Sequence, residues 1–177
     1  MRSSGRIDWR SAAEYPLPMT QPVHILVVCT ANICRSPMAE VLLRAEGRRQ
    51  RRAVEVRSGG IMGLIGRPAD PKAVKAVGQL GLDLQGHRSK GISEDDVAWA
   101  DHILVMELRH MTALHQRIPS AEGKVLLLGT FGGGHEVSDP IGGWFFRFKR
   151  TRDLLQRCCA RFVEQMPAPP AEPDGQG

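Results

Sequence analysis

Cysteines and aromatic residues are scarce in this 177-residue chain, which contains four cysteines and a single tyrosine. Four cysteines are too few for the disulfide framework of a small secreted protein. No apolar run approaches the ~20 residues of a membrane-spanning helix, and the polar first residues lack the apolar segment of a secretory signal. These absences favour a cytoplasmic protein that does not insert into membranes and whose thiols stay reduced.

The composition that remains is that of one folded domain. Hydrophobic residues make up 42% of the chain and the net charge is +5, and a chain of this length fits a single core. Part of the positive charge comes from a cluster formed by Arg44, Arg48, Arg49, Arg51 and Arg52. Because no aromatic residue interrupts the cluster, it favours a solvated helix face, and we predict no nucleic-acid partner.

Strand and helix patterns alternate in the central part of the chain. Residues 1–22 read as a polar extension and the proline-rich residues 167–177 as a disordered tail, which leaves 23–166 as the folded domain. Short apolar runs predict strands at 23–28, 53–57, 102–106 and 125–128. Helical spacing follows each strand, and the last helix carries Asp153 and Arg157 as an expected i,i+4 ion pair. This order predicts an α/β fold, with a four-stranded parallel sheet and helices on both faces.

The segment between the first strand and the first helix carries the chemistry. Cys29 ends the strand, and Arg35 follows six positions later. The intervening loop is formed by Thr30, Ala31, Asn32, Ile33 and Cys34. Backbone N–H groups of such a loop, together with a helix N-terminus, converge on a tetrahedral oxyanion. We therefore expect Arg35 to clamp a phosphoryl group and Cys29 to face its phosphorus as a thiolate nucleophile.

Two further residues of this segment have expected supporting roles. Ser36 follows the arginine, where its hydroxyl can donate a hydrogen bond to the Cys29 sulfur. Asn32 lies in mid-loop, and asparagine tolerates a left-handed backbone there. Both residues are expected to stabilise the loop around the nucleophile.

With these motifs in place, the chain resembles the low-molecular-weight protein tyrosine phosphatase family. The resemblance rests on residues 28–40 and continues through the shorter segments 57–60, 69–71, 86–89 and 139–140. It covers about residues 23–166 and implies a flavodoxin-like strand order, no cofactor and no metal. One departure is Ala31, where family members often have glycine, so the backbone there must accept a Cβ atom.

The resemblance also implies roles for particular residues. It places the general acid at Asp139, which would protonate the leaving oxygen while Cys29 forms a phosphocysteine intermediate. Ser58 and His87 match positions that hydrogen-bond the loop asparagine. Cys34 matches a cysteine that forms a reversible disulfide with the nucleophile in the family.

The substrate is predicted from the residues around the loop. A bulky Ile33 favours a flat aromatic phosphate ester, whereas the related arginine phosphatases carry threonine there. The segment 61–65, represented by Leu64, is expected to form one wall of the cleft and Ile141 the other. Residues 60–71 resemble the bacterial subgroup that dephosphorylates tyrosine autokinases of capsule and exopolysaccharide export. The predicted partner is therefore a phosphorylated protein such as a tyrosine kinase.

Three other functions are alternatives to phosphotyrosine hydrolysis on this scaffold. Segments 139–143 and 151–153 resemble the protein-arginine phosphatases, which are the main alternative. Arsenate reduction on the same scaffold needs further redox cysteines, and residues 82–105 contain none. A non-catalytic phosphate-binding module is disfavoured because Cys29, Arg35 and Asp139 are all intact.

Overall fold

The computed structural model describes residues 21–166. The tail at 167–177 lies outside these residues, as does all of the predicted extension 1–22 except its last two positions. The strands are β1 (Val23–Cys29), β2 (Val54–Gly60), β3 (His102–Val105) and β4 (Val125–Leu127). The α-helices are α1 (Arg35–Arg49), α2 (Pro71–Gly78), α3 (Glu94–Trp99), α4 (Leu108–Arg117) and α5 (Phe145–Gln165). Two short 3₁₀ helices cover Pro119–Ala121 and Leu128–Gly132.

The four strands form one parallel sheet in the order β2-β1-β3-β4. The apolar run of β1 is buried on both faces, as expected for a central parallel strand. Ile25 and Val27 pack on the side of α1, α2 and α5, whereas Leu26 and Val28 pack on the side of α3 and α4. The predicted α/β fold, with helices on both faces and a flavodoxin-like order, is confirmed.

The strand order positions the site. After β1 the chain crosses towards β2, and after β3 it crosses towards β4, on the opposite face of the sheet. The loops that follow β1 and β3 therefore diverge and leave a crevice at the carboxyl ends of these two strands. Ligands of open α/β sheets bind in such a crevice.

Asp153 does not form the predicted ion pair with Arg157. Its carboxylate accepts instead from the neighbouring Arg152, at 2.6 Å from Nη2. Arg152 is buried against α2, where its guanidinium also donates to the carbonyl of Ala76 at 2.9 Å. Because a buried charge needs a partner, the Asp153 carboxylate pairs with the buried Arg152 and not with Arg157.

The arginine cluster at the end of α1 is largely solvent-exposed, as predicted. Two of its members are held by carboxylates of the same helix: Arg44 pairs with Glu40 and Arg49 with Glu46.

Within residues 21–166, no helix combines the length and apolarity needed to cross a lipid bilayer.

Candidate active site

The Cys29 side chain lies at the floor of the crevice, where β1 ends, and only 2% of its surface is exposed. Its sulfur accepts a hydrogen bond from the backbone N–H of Asn32 at 3.3 Å and lies 3.0 Å from the hydroxyl of Ser36. The first N–H groups of α1, which starts six residues later, have no partner inside the helix. One backbone N–H and one hydroxyl are thus within reach of the sulfur, and both can stabilise negative charge there.

The buried side chain of Asn32 stabilises the conformation of the loop. Its φ angle of 56° is left-handed, as expected from the sequence. Its amide donates to the hydroxyls of Ser36 and Ser58, both at 2.9 Å, and its carbonyl oxygen accepts from the N–H of Lys90 at 3.0 Å. His87 contacts the main-chain carbonyl of Asn32 at 2.8 Å, rather than its side chain. All hydrogen-bonding groups of this buried amide side chain are thus engaged.

Gly60, the last residue of β2, has no side chain and so allows the loop to pack closely against this strand. A Cβ atom at this position would lie 2.8 Å from the carbonyl carbon of Ala31 and 2.9 Å from the nitrogen of Asn32. Ala31 itself needs no glycine, because positive φ angles outside glycine are confined to Asn32 and Arg51 in the described chain. The space that the loop requires is supplied by the neighbouring strand.

Arg35 is 1% exposed and lies between two carboxylates. Its Nη1 donates to Glu107 and to the carbonyl of Val137, the latter at 2.9 Å. Its Nη2 donates to Asp139 at 2.6 Å and to the hydroxyl of Thr30 at 3.2 Å. Its buried Nε has no hydrogen-bond partner among the described residues. One donor of the guanidinium is therefore left for a ligand.

Glu107 and His110 come from the start of α4 and complete this charged network. Burial opposes ionisation of Glu107, but hydrogen bonds from Arg109 and Arg35 outweigh it and lower its pKa to about 2. Burial, with the Arg35 charge, lowers the pKa of His110 to about 4. The neutral imidazole lies with Nε2 2.9 Å from the Thr30 hydroxyl. Glu107 thus stays ionised and fixes the guanidinium.

Glu107, Arg109 and His110 had no predicted role. A signal for them was nevertheless present in the sequence, because they follow directly after a buried strand. Polar residues at the carboxyl end of a parallel strand are candidates for a ligand site. The partner of Glu107 lies 72 positions away, at Arg35, so the contact itself was not predictable.

A cavity of about 200 Å³ opens above the sulfur. It is lined by Cys29, Thr30, Ala31, Ile33, Cys34, Arg35, Met62, Asp139 and Ile141. Asn32, Ser36, Ser58 and His87 lie behind the loop rather than in the cavity. Leu64 does not line the cavity, and Met62 occupies the expected wall. The reason is local: the N–H of Met62 bonds to the loop carbonyl of Thr30 at 2.9 Å, whereas Leu64 lies beyond a left-handed Gly63.

The four cysteines are all free and buried. Burial, with the nearby carboxylates of Asp70 and Asp139, raises the pKa of Cys34 far above that of an exposed thiol. Cys34 therefore stays protonated close to Cys29. Cys158 and Cys159 lie on α5 and pack in the core on the α1 side of the sheet. Within 21–166, no group of three or more His, Cys, Asp or Glu side chains is placed to hold a metal ion.

Sequence comparison assigns this constellation to a family. The profile of the low molecular weight phosphotyrosine protein phosphatases matches residues 24–169 of the chain. The chain belongs to this family. It is therefore a phosphatase, an enzyme that hydrolyses phosphoric monoesters.

Two curated relatives and one solved structure illustrate the similarity. The low molecular weight protein-tyrosine-phosphatase Wzb of Escherichia coli K12 is 37% identical over 145 residues, which cover 82% of this chain and 96% of the relative. A protein-arginine-phosphatase of Geobacillus stearothermophilus is 34% identical over 147 residues, covering 82% and 97%. The structure of Vibrio vulnificus Wzb in complex with benzylphosphonate superposes with a TM-score of 0.77 at 32% identity, covering 82% of this chain and all of that one.

Proposed function

We propose that this phosphatase hydrolyses phosphotyrosine in proteins through a phosphocysteine on Cys29. One observation carries the proposal. The Cys29 sulfur, the Arg35 guanidinium with its unpartnered Nε and the Asp139 carboxylate all line the same cavity. A nucleophile, an anion clamp and an acid in one small cavity are the three parts that phosphoryl transfer from an ester requires.

In the first step the phosphoryl group binds over the loop, and its oxygens accept from the Arg35 Nε and the loop N–H groups. The dianion competes with Asp139 for the guanidinium and frees the carboxyl group to carry a proton. The sulfur then attacks phosphorus in line with the leaving oxygen. The phosphorus–oxygen bond breaks, and Asp139 protonates the departing phenolate.

In the second step water hydrolyses the phosphocysteine. Asp139, now ionised, takes a proton from the water as its oxygen attacks phosphorus. The phosphorus–sulfur bond breaks and inorganic phosphate leaves. The departing sulfur carries negative charge, which the Ser36 hydroxyl at 3.0 Å and the N–H of Asn32 at 3.3 Å stabilise.

The shape of the cavity supports an aromatic ester. Ile33, Met62 and Ile141 form its apolar sides. A cavity of roughly 150 Å³ is large enough to bind benzene, so about 200 Å³ leaves room for a phenyl ring over the loop. The relative from Vibrio vulnificus binds benzylphosphonate, an aromatic phosphonate, on the same fold.

Protein phosphoarginine is the second candidate substrate. The arginine phosphatase of Geobacillus stearothermophilus is nearly as similar to this chain as Wzb is, at 34% against 37% identity. Ile33 argues for the tyrosine substrate because it brings an apolar side chain to the cavity where the arginine phosphatases carry a hydroxyl.

The deciding experiment compares one peptide that carries either phosphotyrosine or phosphoarginine. We expect kcat/KM to be higher for phosphotyrosine and to vanish for both in a Cys29→Ser variant. Higher kcat/KM for phosphoarginine would replace the substrate assignment. Activity that survives Cys29→Ser would overturn the mechanism. Cys158→Ser is the matched control, since it changes a buried cysteine outside the cavity.

The physiological substrate that we propose is a phosphorylated protein in a reducing cytoplasm, with a tyrosine kinase as the first candidate. The similarity to Wzb supports this class of substrate. A reducing compartment is required because a thiol nucleophile is lost on oxidation.

A further inference from the structure

Beside the catalytic cavity lies a second groove of about 360 Å³, called here the α5 groove. Its floor is the segment 136–140, and its far wall is a stripe of α5 formed by Arg147, Arg150, Leu154 and Arg157. The spacing of three, four and three residues places these four side chains on one helix face. Asp139 lines both the groove and the catalytic cavity, so the two are adjacent.

The groove carries three arginines that no carboxylate of the described chain pairs with. Within residues 21–166, none of the guanidiniums of Arg147, Arg150 and Arg157 forms an ion pair or a hydrogen bond, and all three residues are exposed. The two carboxylates of the groove are engaged elsewhere. Glu136 accepts from the N–H of Leu108 at 2.8 Å, and Asp139 pairs with the buried guanidinium beside Cys29.

These arginines do not serve the stability of α5. The helix starts at Phe145 with no acidic residue in its first turn and no side-chain cap. Arg147 lies in that turn, at the positive end of the helix dipole, where a cation is unfavourable. Nor does Arg157 contribute a helix pair, because Asp153 is taken by Arg152. Arg147 is thus held in the groove at a small cost to the helix, and Arg150 and Arg157 contribute no ion pair to it.

We propose that the α5 groove binds an acidic segment of the protein substrate, next to the phosphorylated residue that occupies the catalytic cavity. This inference rests on the proposed function and adds a preference for aspartate and glutamate to it. From Arg147 to Arg157 the stripe extends ~15 Å along the helix. An extended peptide covers this length with about four to five residues. The recognised segment is therefore short and immediately adjacent to the phosphotyrosine.

The test uses phosphotyrosine peptides with four glutamates on the N-terminal or the C-terminal side, each paired with the same peptide carrying glutamines. For one of the two sides we expect kcat/KM to be about five- to tenfold higher with glutamate, the gain that a few exposed ion pairs supply. The gain should lie in KM and should shrink as salt is added, because exposed charges are screened.

The decisive variant is Arg147→Gln with Arg150→Gln, which should reduce the glutamate-to-glutamine ratio to about one- to twofold. Each ratio is taken on one enzyme, so a general loss of activity cancels. The matched control is Arg48→Gln with Arg52→Gln, which removes the same charge from the end of α1 and should leave the ratio unchanged. Thermal unfolding midpoints should not fall in the α5 variant, since neither arginine forms an ion pair and Arg147 opposes the helix dipole.

Three results would overturn the inference: equal rates on glutamate and glutamine peptides, a ratio that survives the α5 substitutions, or a ratio lost equally in the α1 control. Each leaves the proposed function intact as long as the glutamine peptides are hydrolysed. Failure to hydrolyse any phosphotyrosine peptide would instead overturn the proposed function.

Discussion

The floor and the mouth of the catalytic cavity are built in opposite ways. At the floor, Asn32, Arg35 and Ser36 are almost completely buried, and each is fixed by several hydrogen bonds. At the mouth, the apolar side chains of Met62 and Ile141 are 61% and 48% exposed. In the mechanism that we propose, the floor carries out the chemistry and the mouth selects the substrate.

The contrast extends along the whole carboxyl edge of the sheet. Large apolar side chains are also exposed in the segments that follow β2, β3 and β4, at Ile65, Leu108, Trp144 and Phe146. Exposed apolar groups of this kind mark surfaces that contact other molecules. Because nothing in the core constrains them, they can vary while the chemistry at the floor stays the same.

The largest effect is expected where the two regions meet, at Asp139. For Asp139→Asn we predict that kcat/KM on a phosphotyrosine peptide falls by about 10²–10³, the usual contribution of general acid catalysis. The loss should be much smaller for p-nitrophenyl phosphate, whose leaving group departs without a proton. Steady-state kinetics on both esters measures the difference. An equal loss on both would contradict the assigned role and indicate a purely structural effect.

The next effect concerns the carboxylate that fixes Arg35. Glu107→Gln removes a charge from beside a buried guanidinium, so we expect the free energy of unfolding to fall by about 1–3 kcal/mol. We expect kcat/KM to fall roughly tenfold, because the guanidinium is an electrostatic stabiliser whose orientation loosens. Chemical denaturation and kinetics measure the two effects.

Glu55→Gln is the control for that variant. Its side chain is 59% exposed on β2, and the change should alter stability by less than about 0.5 kcal/mol.

The pH dependence of the free energy of unfolding gives a second test of Glu107. The pKa of Glu107 is lowered from 4.5 to about 2, so its contribution to stability is complete above pH 4.5 and is lost as the pH falls towards 2. Glu107→Gln should lack this loss.

His110 provides a pH test at milder acidity. Its pKa is lowered from 6.5 to about 4, so the folded state disfavours the charged imidazole. The stability that the neutral imidazole contributes is complete above pH 6.5 and is lost as the pH falls to about 4. We predict that the wild-type protein loses about 1–2 kcal/mol more than His110→Gln between pH 7 and pH 5. Urea denaturation at both pH values measures this, and equal losses would contradict it.

The floor was largely predictable from the sequence, for a physical reason. An apolar strand, a cysteine and an arginine six positions later lie within one continuous segment, so local geometry brings them together. The left-handed Asn32 and the contact of Ser36 with the sulfur follow from the same segment. Ser58 and His87 were predicted from the resemblance alone, and both contact Asn32.

The remaining features depend on contacts between distant segments. Glu107 reaches Arg35 only because β1 and β3 are neighbours in the sheet. Asp153 pairs with Arg152 because that arginine is buried against α2, which helical spacing alone does not reveal. At the mouth, a left-handed Gly63 separates Met62 from Leu64, and loop shape of this kind is not encoded in hydrophobic periodicity.

The smallest predicted effect tests the mouth alone. Ile141→Tyr adds an aromatic side chain beside the cavity, while the N–H of residue 141 can still donate to Asp139, as it does now at 3.1 Å. A contact between aromatic rings contributes about 0.5–1.5 kcal/mol, so KM for a phosphotyrosine peptide should fall about two- to tenfold with kcat unchanged. Ile65→Tyr is the matched control, because Ile65 is equally apolar and even more exposed but does not line the cavity. A fall in KM for Ile141→Tyr and none for Ile65→Tyr would place the substrate ring against residue 141. Equal effects would mean that the mouth binds the peptide without a defined wall for the substrate ring. Residue 141 would then have no special role in binding, although the mouth could still vary independently of the floor.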